Sequence, residues 1–134
     1  MQFKKRTTSC GVLGPALLTF GLLGCDAFGP RLCPLGIEPA VEVEVVDAET
    51  GAAVAQGAKG VIRDAAYLDS LRPHASRGDG TVLTLSAGDG RAGVYRVEVV
   101  REGYADWQRD GVRARRGDCG VESARARAAL IPAS

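Results

Sequence analysis

Apolar residues recur at every second position in several stretches between residues 40 and 131, and this alternation constrains the fold more than any other feature. Valine alternates with glutamate over residues 41–45, the pattern of a strand with one buried and one solvated face. Residues 94–101 and 124–130 repeat the alternation. Turn sequences separate such segments at intervals of about 8–15 residues, without a long helical period. The pattern predicts an all-β fold, an antiparallel β-sandwich of six to seven strands.

The middle of the chain is less regular. Residues 65–72 fit either a strand or a turn of helix, and Pro73 is expected to end either one. Residues 74–80 predict a loop, because glycine, aspartate and serine are concentrated there. Strand pairing across residues 64–80 is therefore left open.

The first 24 residues combine a basic start with an uncharged apolar run. Lys4, Lys5 and Arg6 precede residues 11–24, which carry no charge. This order is typical of a secretory signal peptide. The alternative is a short transmembrane or buried core helix, although the run is short for a hydrocarbon core of about 30 Å.

The run ends in Leu22-Leu23-Gly24-Cys25, which resembles the lipobox of bacterial lipoproteins. In that family the signal peptidase recognises the residues before the cysteine and cuts there, and the thiol receives a diacylglyceryl group. The resemblance implies lipidation of Cys25, a tether over residues 25–39, and anchoring by acyl chains such as palmitate. The protein would then lie in the cell envelope, on the inner or outer membrane, facing the periplasm or the cell surface. The alternative is a plain signal peptide with a structural Cys25.

Four cysteines are present, and the lipoprotein resemblance accounts for two of them: Cys10 would be removed and Cys25 lipidated. Cys33 and Cys119 remain, in a compartment that permits disulfides. We expect them to pair if the first and last strands are neighbours at one end of the sandwich. The alternatives are two free thiols or a two-cysteine metal site.

Other motifs lie within the strand region: Val-x-Val-x-Val-x-Asp at 41–47, Thr50-Gly51, Gly93-x-Tyr95-x-Val97, and Glu102-Gly103-Tyr104. Together they resemble the carboxypeptidase regulatory-like domain, a transthyretin-like Greek-key sandwich of secreted bacterial proteins. The resemblance covers residues 40–131, and the longer segment 64–80 departs from it. It implies a Greek-key antiparallel sandwich in which the Tyr104 hydroxyl bonds a backbone group.

Composition narrows the function classes. The formal net charge of +1 gives no basic excess, so no nucleic-acid partner is predicted. The resemblance is to a non-catalytic accessory domain, and His74 alone cannot build a peptidase zinc site. We predict no catalytic residues, no metal and no cofactor, and hence no enzyme. An enzyme of unknown class is a remote alternative.

Basic and aromatic residues on one predicted strand form a candidate binding strip, which comprises Trp107, Arg109, Arg113 and Arg115. Such a strip suits anionic head groups or polyanionic cell-wall material, and the alternative is a solvated face. The sequence predicts a non-catalytic, lipid-anchored module that binds an envelope protein or has a structural role. Its rival is a carbohydrate- or peptidoglycan-binding module for cell-wall polysaccharide, which would require aromatic rings together on an open face.

Overall fold

The computed structural model describes residue 29 and residues 31–134. These residues form nine β-strands. In chain order they are β1 (Val41–Asp47), β2 (Lys59–Asp64), β3 (Tyr67–Ser70), β4 (Arg72–Ser76), β5 (Val82–Ala87), β6 (Gly93–Val100), β7 (Trp107–Gly117), β8 (Gly120–Glu122) and β9 (Ala124–Leu130). The all-β prediction is confirmed, with more strands than the six or seven expected. Within the described part of the chain, no helix is long and apolar enough to cross a membrane.

The strands form two sheets that share one hydrophobic core. The four-stranded sheet has the order β4-β5-β1-β9, and the five-stranded sheet has the order β3-β2-β6-β7-β8. The alternating residues of each sheet's inner face are fully buried, among them Val41, Val43, Val45, Leu85 and Leu130 from the first sheet and Ile62, Tyr95, Val97 and Val99 from the second. The sandwich prediction is therefore confirmed, because period-two burial brings two apolar faces together.

One strand pair departs from the predicted antiparallel arrangement. β1 and β9 pair in parallel, with Val41 opposite Ala124 and Asp47 opposite Leu130. Both strands therefore begin at the same end of the sandwich. β9 lies at the edge of its sheet and pairs with β1 alone, while β5 pairs with the other side of β1.

The segment with ambiguous pairing forms two short strands. β3 pairs with β2, and β4 pairs with β5 at the edge of the other sheet. The expectation that Pro73 ends its element is wrong, because Pro73 lies within β4, opposite Leu85. An edge strand tolerates proline because one side of its backbone has no partner strand. The loop that was predicted over residues 74–80 is shorter than expected, because β4 extends to Ser76.

Cys33 and Cys119 form a disulfide with Cα atoms 5.2 Å apart, as predicted. The parallel pairing explains it, because the chain before β1 and the chain before β8 and β9 reach the same end. The compact unit spans Cys33–Ser134, so it includes part of the predicted tether. The predicted signal peptide 1–24 and Cys25 lie outside the described residues.

The two ends of the sandwich have distinct closures. The disulfide end comprises the Cys33–Cys119 bond, residues 38–40 and the turn at 88–90. The distal end comprises the turn at 47–51, the loop at 103–105 and residues 130–133, and the backbone of this last segment bonds both the turn and the loop.

Candidate functional site

An open groove of about 570 Å³ lies over the outer face of the four-stranded sheet. Its polar lining consists of Glu42 and Glu44 from β1, Arg125 and Arg127 from β9, Thr84 from β5, and Arg77 from the β4–β5 loop. These side chains face outward because the intervening valines of β1 occupy the inner face. The same alternation that builds the core therefore builds the groove.

The parallel pairing of β1 with β9 joins opposite charges across the groove. It places Glu42 opposite Arg125 and Glu44 opposite Arg127. Arg125 Nε lies 3.4 Å from Glu42 Oε2, and Arg127 Nε lies 3.8 Å from Glu44 Oε2. Glu42 is the more enclosed acid, with a side chain 18% exposed against 51% for Glu44. Both glutamates lie on the solvated face of β1, as the alternation predicts, and each forms an ion pair with an arginine of β9.

His74 joins the groove from the edge strand. It lies in β4, where its Nε2 is 3.6 Å from Glu42 Oε1. Glu42 therefore lies between an imidazole and the Arg125 guanidinium. When protonated, His74 would add a second positive neighbour to this carboxylate.

The groove alternates hydrogen-bond acceptors and donors. Its carboxylates accept, its guanidiniums donate, and the Thr84 hydroxyl already accepts a bond from the Ala75 backbone N–H at 3.1 Å. This arrangement suits a ligand that carries charges of both signs, such as an extended peptide. In the part of the chain that the structure describes, no group of three or more His, Cys, Asp and Glu residues is placed to hold a metal ion.

At the distal end, the Asp47 carboxylate accepts three hydrogen bonds. Asp47 Oδ1 accepts the backbone N–H groups of Thr50 and Glu49 at 2.9 and 2.8 Å, and Oδ2 accepts the Tyr104 hydroxyl at 2.9 Å. The Thr50 bond, followed by the Tyr104 bond, holds the pKa of Asp47 below its usual range. Donating to this carboxylate raises the pKa of Tyr104.

The expectation that the Tyr104 hydroxyl bonds a backbone group is wrong. A carboxylate is the stronger acceptor, and the turn after β1 places that of Asp47 within reach. The tyrosine that does bond the backbone is Tyr95, whose hydroxyl donates to the Arg91 carbonyl at 2.6 Å. Burial raises the pKa of Tyr95.

The four residues of the predicted binding strip, Trp107, Arg109, Arg113 and Arg115, do not form one surface. The register of β7 against β6 shifts between Arg109 and Val112, and Gly111 adopts a φ of 72° within this bulge. Trp107 and Arg109 lie opposite inward-facing residues of β6, whereas Arg113 lies opposite the exposed Val94. The bulge thus turns Arg113 and Arg115 away from the core.

The aromatic side chains also lie apart. Trp107 is partly buried against the core, and Tyr67 contacts Tyr95 and lies beneath the Arg91 guanidinium, 4.1 Å from the ring centre. Tyr104 is engaged at the distal end with Asp47. The described residues therefore offer no shared aromatic face from these three rings.

Sequence reasoning missed the groove, although a signal for it was present. Glu-x-Glu at 42–44 and Arg-x-Arg at 125–127 both occupy the solvated positions of alternating strands. The link between them is the adjacency of β1 and β9, which local patterns do not reveal.

No protein-family model matches the chain, and no curated protein matches its sequence. The lipobox resemblance and the carboxypeptidase regulatory-like resemblance both stay predictions.

Proposed function

We propose that this chain is a lipid-anchored protein of the bacterial cell envelope, with a non-catalytic sandwich that binds a partner through the groove. The observation that carries the proposal is the Cys33–Cys119 disulfide. Disulfides persist in extracytoplasmic compartments, which is where a lipobox at Leu22–Cys25 would deliver the chain.

The groove supports a binding role. Its charged groups form ion pairs between neighbouring strands. A charged group of a binding partner, of either sign, can replace one member of such a pair. The groups whose pKa is shifted do not line the groove: Asp47, Tyr67, Asp79, Tyr95 and Tyr104 all lie elsewhere. An envelope protein with a peptide segment of mixed charge is the partner that fits this lining best.

The carbohydrate-binding alternative has less support. It calls for stacked rings on an open face, and the separate positions of Tyr67, Tyr104 and Trp107 do not supply one. Cosedimentation of the protein with isolated cell-wall sacculi would nevertheless favour this alternative over an envelope protein.

Metabolic labelling with palmitate tests the anchor. In a bacterial host the wild-type chain should incorporate label and migrate as a processed form, while Cys25→Ala should lose the label and accumulate as precursor. Cys10→Ala is the matched control, because it removes another cysteine from the first 25 residues and should label normally. Retention of palmitate by Cys25→Ala would overturn the proposal.

A further inference from the structure

Two large apolar side chains are exposed at the disulfide end. Leu35 is 106% exposed and Ile37 is 77% exposed, within four residues of Cys33. They follow the disulfide directly and precede the first strand. Exposed apolar residues that are adjacent in this way often mark a contact surface.

The backbone just after these residues is firmly held. The Glu38 carbonyl accepts the Gly90 N–H at 2.9 Å, and the Ala40 N–H donates to the Gly88 carbonyl at 3.1 Å. The Ser123 hydroxyl donates to the Pro39 carbonyl at 2.6 Å. Leu35 and Ile37 are thus held between the disulfide and this bonded segment, with a fixed place at the end of the sandwich.

Exposed arginines lie at the same end. Arg113, Arg115 and Arg116 occupy the part of β7 that leads to Cys119. None of the three forms an ion pair with another described residue, whereas Arg125 and Arg127 in the groove are both paired. Asp118 and Glu122 lie on the same hairpin, so the cluster has a net charge of +1. A weakly cationic rim beside apolar side chains suits an anionic lipid surface.

The length of chain before the disulfide keeps this end near the proposed anchor. Seven residues lie between Cys25 and Cys33, and the eight steps from one cysteine to the other span at most about 28 Å when fully extended. The disulfide end is therefore the part of the sandwich that a lipidated Cys25 would hold against the bilayer.

We propose that Leu35 and Ile37 insert into the headgroup boundary of the membrane that carries the anchor, with Arg113, Arg115 and Arg116 facing its anionic headgroups. This inference rests on the proposed lipid anchor. It orients the strands of the sandwich away from the membrane, with the distal end outermost.

Quenching of tryptophan fluorescence by brominated lipids tests the contact. The full chain, with Trp107→Phe and Ile37→Trp, is purified in detergent and reconstituted into vesicles with about 30% phosphatidylglycerol. Its emission should fall about two-fold when the lipids are brominated. The control is Ile131→Trp on the same background, because Ile131 is 63% exposed at the distal end and should not be quenched.

Cosedimentation with the vesicles separates the two proposals. If the chain cosediments and position 37 is quenched more than position 131, the contact is supported. If it cosediments and the two positions are quenched equally or not at all, the contact is overturned and the anchor stands. A chain that does not cosediment overturns both.

The arginines are tested on the Ile37→Trp background. R113Q/R115Q/R116Q should weaken the quenching in anionic vesicles and leave it unchanged in neutral phosphatidylcholine vesicles. R77Q/R125Q/R127Q removes the same charge from the groove and should have no effect in either. Equal effects of the two triple variants would overturn the role of the β7 arginines.

Discussion

At the disulfide end the sandwich is closed by a covalent bond, whereas at the distal end it is closed by hydrogen bonds, including one from Tyr104 to Asp47. The covalent bond acts mainly by restricting the unfolded chain, and it is indifferent to pH under oxidising conditions. The hydrogen bond at the distal end depends on the protonation of both its partners. A redox-sensitive bond therefore joins the segment before β1 to the β7–β8 turn, and a pH-sensitive bond joins the end of β1 to the loop between β6 and β7.

Removal of the disulfide should have the largest effect on stability. The bond closes a loop across 86 residues, so Cys33→Ala/Cys119→Ala should lose about 4–5 kcal/mol of unfolding free energy. Urea denaturation of the oxidised protein measures the change.

Reduction of the wild-type protein is the matched control and should reproduce the loss. If the double variant loses less than about 1 kcal/mol, the chain-entropy account of this bond is wrong.

The strands that the sequence predicted best are those with the clearest alternation. β1, β6 and β9 each follow a period of two, because each has one face on the core and one in solvent. The edge strand β4 was not predicted, because its residues are all exposed and no burial pattern marks it. The β-propensity of a residue mostly reflects how its side chain packs, so it is a weak predictor for an exposed edge strand.

Features that depend on which strands are neighbours could not be predicted from local sequence patterns. The bulge at Gly111 exists relative to β6, and the groove exists because β9 lies beside β1. The disulfide could be predicted because Cys33 and Cys119 are the two cysteines that remain once the lipoprotein resemblance accounts for Cys10 and Cys25. The Asp47–Tyr104 bond joins residues 57 positions apart, and no local pattern links them.

Two glycines provide the next comparison of the ends. Gly88, at the disulfide end, and Gly103, at the distal end, have φ values of 77° and 83°. A Cβ on Gly88 would lie 2.9 Å from both Ala40 Cβ and Ile62 Cδ1, whereas a Cβ on Gly103 would meet no atom within 4 Å. Gly103→Ala should therefore lose about 1 kcal/mol from backbone strain, and Gly88→Ala about 1–3 kcal/mol more from overpacking.

The difference between these two alanine variants isolates packing, because their backbone strain is matched. If urea denaturation shows equal losses of unfolding free energy for the two variants, the disulfide end accommodates the added methyl group without a packing cost.

The smallest effect is expected in the pH profile of the distal end. The pKa of Asp47 is lowered, so its contribution to stability is present above the unfolded value of about 4 and is lost as pH falls through the folded value. The pKa of Tyr104 is raised, so its contribution is present below about pH 10 and is lost as pH rises beyond it. Asp47→Asn should flatten the acid side of the profile, while Tyr104→Phe should flatten the alkaline side.

The two variants also rank the donors to Asp47. Tyr104→Phe should keep most of the acid dependence, because the Thr50 backbone bond is the larger cause of the lowered pKa of Asp47. The Cys33→Ala/Cys119→Ala protein tests whether the two ends of the sandwich are independent. Its unfolding free energy should be lower than that of the wild type by the same amount at every pH from 3 to 8. A change in slope would show that the two ends are energetically coupled, because the closure at one end would then alter proton binding at the other.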